Sequence, residues 1–373
     1  MGRRCRLERP GFAGPAEWTL DERALTLRLE GGGVEVVALA EVAAVGGDDR
    51  VLRLRLGSAR LTLSKLGGDG PNLLADLHRW WLPARVEALR LASGGEGRRL
   101  RGAWAWDEAP PRPASFLPLP HALLVAPDDG ELEPLFLALV DGVSFDSAAH
   151  AVVCQGADGR VARVSRLGAR TDQLRTALAE ARSSLAAEAA ATLGRWLSTL
   201  DPARRVALAA AWPPGRLVSL AELERLAPGC GDALALSWLP ALPRREQYRH
   251  LVGWAEPGQA WLGHAAGAGD EPGLWLLAGR GQRWLLEAVG EEDWATYRFA
   301  AGSELPGLVS ALLCAPQFSR EALYLPLAEL AGERGELAIA ARSLPFLVAL
   351  RERFRGRVVH SSIAHWQAGL DAP

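Results

Sequence analysis

The sequence predicts an α+β fold in which a small β-rich unit, closed by a helix, is used twice. Three observations carry this. First, Ser64-Lys65-Leu66-Gly67 returns as Ser165-Arg166-Leu167-Gly168, a spacing of 165 − 64 = 101 residues. Second, the residues before each signature alternate. Leu52, Leu54, Leu56, Leu61 and Leu63 keep period two around a Gly57-Ser58 turn, and Val152-Val153, Val161 and Val164 flank Asp158-Gly159. Alternation broken by such turns is the mark of antiparallel hairpins. Third, the period then changes. Leu73 and Leu77, displaced by 101, fall on Leu174 and Leu178, and apolar residues four apart define one helix face. The same shift lays Leu63 on Val164 and Val42 on Val143.

Residues 1–14 read as a lead-in. Trp18-Thr19-Leu20 and Leu25–Leu29 form the first expected hairpin, turning at Asp21-Glu22-Arg23, and Gly31-Gly32-Gly33 leads into Val34, Val36 and Val37. The first helix is expected from Pro71 to Leu91, with Asp69 as its cap and Pro71 tolerated in the first turn. Ser93–Gly97 reads as a hinge, and Pro110, Pro111, Pro113, Pro118 and Pro120 as a stiff approach to the second unit. Leu123-Leu124-Val125 and Leu135-Phe136-Leu137 are its early strands. Thr171-Asp172 opens a long closing helix that reaches Trp196 and Leu197.

From Asp201 to Tyr248 the texture is helical. Asp201-Pro202 starts one helix, and Ser219 with Glu222 three residues later forms a capping box for another. Strands return at Gly258–Gly263, Leu274–Leu277, Arg283–Leu286 and Trp294–Phe299, with helices at Leu308–Cys314 and Leu344–Phe354. The expected organisation is therefore a first module (1–92), a second (112–200), a helical connector (201–250) and a third α+β module (251–373), which is either new or a diverged copy.

A rolled meander of short strands sealed by a C-terminal helix resembles the pleckstrin-homology-like (PH-like) superfold. The resemblance rests on this layout and on the repeated Ser-[Lys/Arg]-Leu-Gly, and spans roughly residues 15–90 and 112–192. It implies tandem bent β-sandwich or barrel modules, each plugged by its helix. Members that bind phosphoinositides carry basic residues on the first strand pair and its loop. Here those loops are Asp21-Glu22-Arg23 and Asp128-Asp129-Gly130-Glu131, whose carboxylates repel such a head group.

Composition narrows the chemistry. The 373 residues are 49% hydrophobic and 23% charged, enough for several cores, and the net charge of −2 supplies no global field for nucleic acid or an anionic membrane. Apolar runs break well short of the ~20 residues a spanning helix requires. Met1–Arg6 is basic without a following apolar stretch, unlike a secretory signal. Cys5, Cys154, Cys230 and Cys314 are far apart, which suits reduced thiols in a cytoplasm. Lys65 is the only lysine, a bias expected of a GC-rich bacterial genome.

No phosphate-loop or dinucleotide fingerprint, nucleophile elbow or His-Glu-x-x-His occurs. His360 and His365 are five apart, off a shared helix face. Asp107-Glu108, Asp128-Asp129 and Glu291-Glu292-Asp293 read as solvated turns. No catalytic, cofactor-binding or metal-binding residue is therefore nominated, and no cofactor is expected. The 14 tryptophans are the remaining oddity. Trp80, Trp81, Trp104 and Trp106 are the candidates for contact with a protein partner, because Trp supplies large area at little entropy cost. The expected function is a non-enzymatic cytoplasmic scaffold or adaptor. The alternatives are an enzyme with its site between the connector and the C-terminal module, and a membrane-surface adaptor.

Overall fold

Lys65 and Arg166 have φ of 58° and 59°, and Gly67 and Gly168 have φ of 61° and 59°. The repeated tetrapeptide thus encodes one backbone shape: two left-handed residues either side of a leucine, Leu66 or Leu167, that is buried in both copies. Left-handed geometry is natural for Gly and costs an ordinary L-residue roughly 1–2 kcal/mol. Both Lys65 and Arg166 point into solvent. Exchange of either for Gly is therefore expected to stabilise the protein by about 0.5–1 kcal/mol after the added unfolded-state entropy. Urea midpoints of the two variants check this, and destabilisation by either would remove the claim of a shared shape.

The computed structural model describes residues 3–91, 98–128, 130–237, 242–265, 273–289, 294–315, 320–333, 335–358, 360 and 362–370. The expected hinge at Ser93–Gly97 lies outside them. Among the described residues the fold is α+β, with three antiparallel sheets.

The first sheet comprises β1 (Arg3–Arg9), β2 (Phe12–Leu20), β3 (Ala24–Leu29), β4 (Val34–Ala38), β5 (Ala44–Gly47), β6 (Val51–Leu56) and β7 (Ala59–Ser64), followed by α1 (Gly70–Ala88). The second comprises β8 (Leu100–Trp106), β9 (Arg112–Pro118), β10 (Ala122–Pro127), β11 (Glu133–Phe136), β12 (Val140–Asp146), β13 (Ala151–Gly156) and β14 (Val161–Ser165), followed by α2 (Thr171–Trp196). Each is a meander in which the first strand also pairs with the last, giving the spatial order 4-3-2-1-7-6-5 in both. Leu7 lies opposite Leu63 in one closure and Trp104 opposite Val164 in the other.

A second local match lies at an offset of 98 residues. Leu39–Glu41 and Leu137–Leu139 are 3-10 turns, ended by Val42 and Val140. Val140, not Val143, is thus the counterpart of Val42, because three extra residues fall between this turn and the second signature. The closing helices tie down the turns alike. Trp81 Nε1 donates to the Val42 carbonyl at 2.7 Å, and Arg182, 101 residues on, donates to the Asp141 carbonyl at 3.0 Å.

Three sequence expectations change here. The lead-in is strand β1 and the start of β2; its inward residues Cys5 and Leu7 are hidden among arginines and glutamates. The proline-rich approach is strand β9, and the second module begins at Leu100 rather than at 112. Pro113 and Pro118 sit at or near the ends of β9, where a missing N–H is tolerated. Asp69 makes no side-chain cap to α1, and the Thr171 hydroxyl instead donates back to the Gly168 carbonyl.

The rest of the chain holds α3 (Pro202–Ala211), β15 (Val218–Ser219), α4 (Leu220–Leu226), α5 (Cys230–Ser237), α6 (Leu242–Trp254), β16 (Ala260–His264), β17 (Leu274–Arg280), β18 (Arg283–Val289) and β19 (Trp294–Ala300). It continues with α7 (Leu305–Leu313), α8 (Glu321–Tyr324), α9 (Leu327–Glu333), α10 (Gly335–Ser343), α11 (Pro345–Arg353), β20 (Phe354–Val358) and α12 (Ile363–Leu370). Asp201 caps α3 through the amides of Ala203 and Arg204, and Ser219 caps α4 through Glu222, as the sequence indicates. The third sheet runs β15 to β20 in plain sequence order, so it does not repeat the strand order of the first two. Nor is 201–250 a free connector. Leu208, Trp212, Leu223, Leu234 and Leu251 share one core with Leu262, Leu276, Leu285 and Trp366.

The chain divides into two compact units. Unit 1 contains residues 1–135, 142–176 and 327–344; unit 2 contains 136–141, 177–326 and 345–373. Within unit 1, α10 packs on α1, and Arg342 pairs with Glu41 at 2.9 Å.

Candidate functional site

Unit 1 contains a pocket of about 440 Å³ lined by both modules. Gly47, Leu74 and His78 come from the first; Arg99, Leu100, Arg101, Asp128 and Arg170 from the second. Strand periodicity explains two of these. Arg99 and Arg101 flank Leu100 at the start of β8, so one buried leucine sends two guanidiniums to the opposite face. Arg170 ends the 3-10 turn that the second signature sets up, one residue before α2. Gly47 closes β5 at φ 110°, where an added Cβ would stand 1.9 Å from the Val51 carbonyl oxygen, so no side chain intrudes from that rim.

Two of the three guanidiniums, those of Arg99 and Arg101, are held in place. Arg99 donates from Nη1 to the His78 carbonyl at 2.8 Å and from Nη2 to Ser115 Oγ at 2.7 Å. Arg101 donates to the same Oγ at 3.3 Å and grips the Asp128 carboxylate with both Nη atoms. Ser115 is buried. Arg170 has no hydrogen-bond or ion-pair partner among the described residues. Burial, reinforced by Arg99, pushes the His78 imidazole down to about 4, so it is neutral at pH 7. Burial first, then Arg101, lowers the Arg99 pKa as well, without threatening its charge. Among the described lining residues three cations thus face one anion, an excess of two positive charges. Leu74 adds an apolar wall. The arrangement is suited to holding an anion that carries a hydrocarbon portion.

The tryptophans nominated from sequence divide. Trp81 and Trp104 are 1% and 0% exposed, so their rings are core and offer no face to a partner. Trp104 stacks edge-on to Trp106 at 5.1 Å and to Phe116 at 6.4 Å. Trp106 is half-buried, donates to Glu133 Oε2 at 3.0 Å and lies under Arg160 at 3.9 Å. Trp80 is half-buried on α1. Sequence reasoning missed the arginines. The available signal was Arg-Leu-Arg with strand spacing just past the expected hinge. The loop at Asp128–Glu131, read as acidic, is also partly neutralised: Asp128 by Arg101, and Glu131 by Arg55 at 2.6 Å.

Unit 2 holds a second polar cluster. Thr296 Oγ1 donates to Glu287 Oε2, accepts from Trp366 Nε1 at 2.9 Å and lies 2.7 Å from His360 Nε2. Glu287 Oε1 is 3.7 Å from the same imidazole nitrogen. Burial pushes the Glu287 carboxyl up to about 8, and burial with nearby Arg357 lowers His360. Both groups are therefore neutral for the most part at pH 7. Glu287 is 1% exposed and Thr296 is fully buried, so these two groups are closed to a substrate, while His360 is part-buried.

Among the described residues, no three His, Cys, Asp or Glu side chains are grouped to hold a metal, and the four cysteines are buried and form no disulfide. No described helix is long and apolar enough to cross a membrane. Neither protein-family models nor curated proteins give a match to the chain.

Proposed function

We propose that the protein is a non-enzymatic scaffold or adaptor of the bacterial cytoplasm, built on tandem PH-like modules, that holds an anionic segment of a protein partner. The shared strand order, with first-to-last closure and a sealing helix, supports the PH-like reading of the two modules. The observation that carries the function is the pocket to which both modules contribute. Two of its guanidiniums, Arg99 and Arg101, are anchored to a backbone carbonyl, a buried serine and a carboxylate before any ligand arrives. Such preorganisation lowers the entropy cost of recognition.

The test is native affinity isolation of the tagged chain from its own cells. The wild type is expected to bring down a stoichiometric partner. Arg170→Glu is expected to lose it, because reversing an exposed charge alters the pocket and leaves the core intact. Recovery of the same partner by Arg170→Glu, or of no stoichiometric partner by the wild type, would count against the proposal.

A further inference from the structure

Resting on the reading of this pocket as the binding site, we propose that its ligand is a phosphate monoester, and not a carboxylate. The charge count is the first argument. Among the described lining residues, Arg99, Arg101 and Arg170 against Asp128 leave two positive charges, which one phosphate dianion neutralises and one carboxylate does not. In a partly enclosed site, an uncompensated charge is costly. His78, the one other titratable group among the described lining residues, is neutral and leaves the count unchanged.

Geometry is the second argument. Asp128 already supplies Arg101 with the planar two-oxygen partner that a ligand carboxylate would offer. Arg99 and Arg170 come from opposite ends of the second module's sequence and do not share a fork. A tetrahedral group with three terminal oxygens can serve both cations at once, and still reach the outer side of Arg101. Shape is the third. The pocket is larger than an inorganic phosphate requires, and Leu74 supplies apolar wall beside the cations. That space fits the carbon chain of an ester. The acidic Asp21-Glu22-Arg23 turn is not among its lining residues.

Two sources share this chemistry: a phosphorylated side chain of a protein, and a free phosphorylated metabolite. Titration calorimetry on the full chain at constant ionic strength uses five probes. They are inorganic phosphate, glycerol 3-phosphate, a Gly/Ser peptide with one phosphoserine, the same peptide with glutamate, and acetate. The two esters are expected to bind at least about tenfold more tightly than either carboxylate. Arg170→Gln, on an exposed side chain, should weaken the esters by about tenfold. Asp128→Asn, which removes the competing anion, should tighten them. A phosphopeptide preference assigns the source to a protein, and a glycerol 3-phosphate preference to a metabolite; either sustains the monoester. Equal binding of the glutamate peptide, or an Arg170→Gln titration like that of wild type, overturns it. The partner isolation above stands apart, since a carboxylate-bearing partner would still be lost with Arg170→Glu.

Discussion

Glu287→Gln is expected to stabilise the protein increasingly as the pH rises from 4.5 to about 8, and to change little below that window. The folded carboxyl titrates near 8 and the unfolded one near 4.5. Between these values the folded chain keeps a proton that the unfolded chain has released. Unfolding then sheds a proton, so wild-type stability falls with rising pH, by on the order of a few kcal/mol across the window. Glutamine removes this loss. Its carbonyl can accept the Thr296 hydroxyl, and its amide faces the imidazole nitrogen that the carboxyl faced. His264 and His78 act on the other side. Both are lowered by burial to about 4, so their contribution is full above 6.5 and is lost as the pH falls through 4. Urea denaturation of wild type and Glu287→Gln from acid to mild alkali measures the difference; two parallel pH profiles would mean that Glu287 does not titrate as a buried acid.

Trp366→Ala should cost about 3–5 kcal/mol. The ring is fully buried on α12, packs edge-on to His250 at 5.6 Å and donates to Thr296. An isolated helix of eight residues is unstable in water, so α12 depends on this docking. Hydrogen exchange should show protection lost across 363–370 and retained in β8–β14. Trp366→Phe keeps most of the apolar area and gives up the indole donor, and should cost about 1–2 kcal/mol. If Phe and Ala were equally damaging, the hydrogen bond and not the buried ring would dominate.

What the sequence disclosed was local. The signature at Ser64 and Ser165, the Asp201 and Ser219 caps and the hairpins before α1 and α2 are set by neighbours a few residues apart, where turn chemistry and periodicity act. Strand β1 escaped notice because only Cys5 and Leu7 interrupt its charges. Proline in β9 mimicked a linker. β20 and α12 are too short to establish a period and owe their form to β19 and to the core around Trp366. The pocket was least legible, since Arg101 and Asp128 meet across 27 residues and His78 and Arg170 come from different modules. Charge that looks solvated along the chain can be paired once strands are laid side by side.

The passage of residues 327–344 into unit 1 has a consequence for biosynthesis. When residue 176 leaves the ribosome, α1 still lacks α10 and Glu41 lacks Arg342. Roughly 150 further residues must be translated first, on the order of 8–30 s at bacterial speeds. During that interval the nascent chain carries an unfinished amino-terminal unit, in which the α1 surface that α10 later covers is open to holding chaperones. A shortened transcript or a proteolytic nick before residue 327 would therefore injure the end of the protein that was made first.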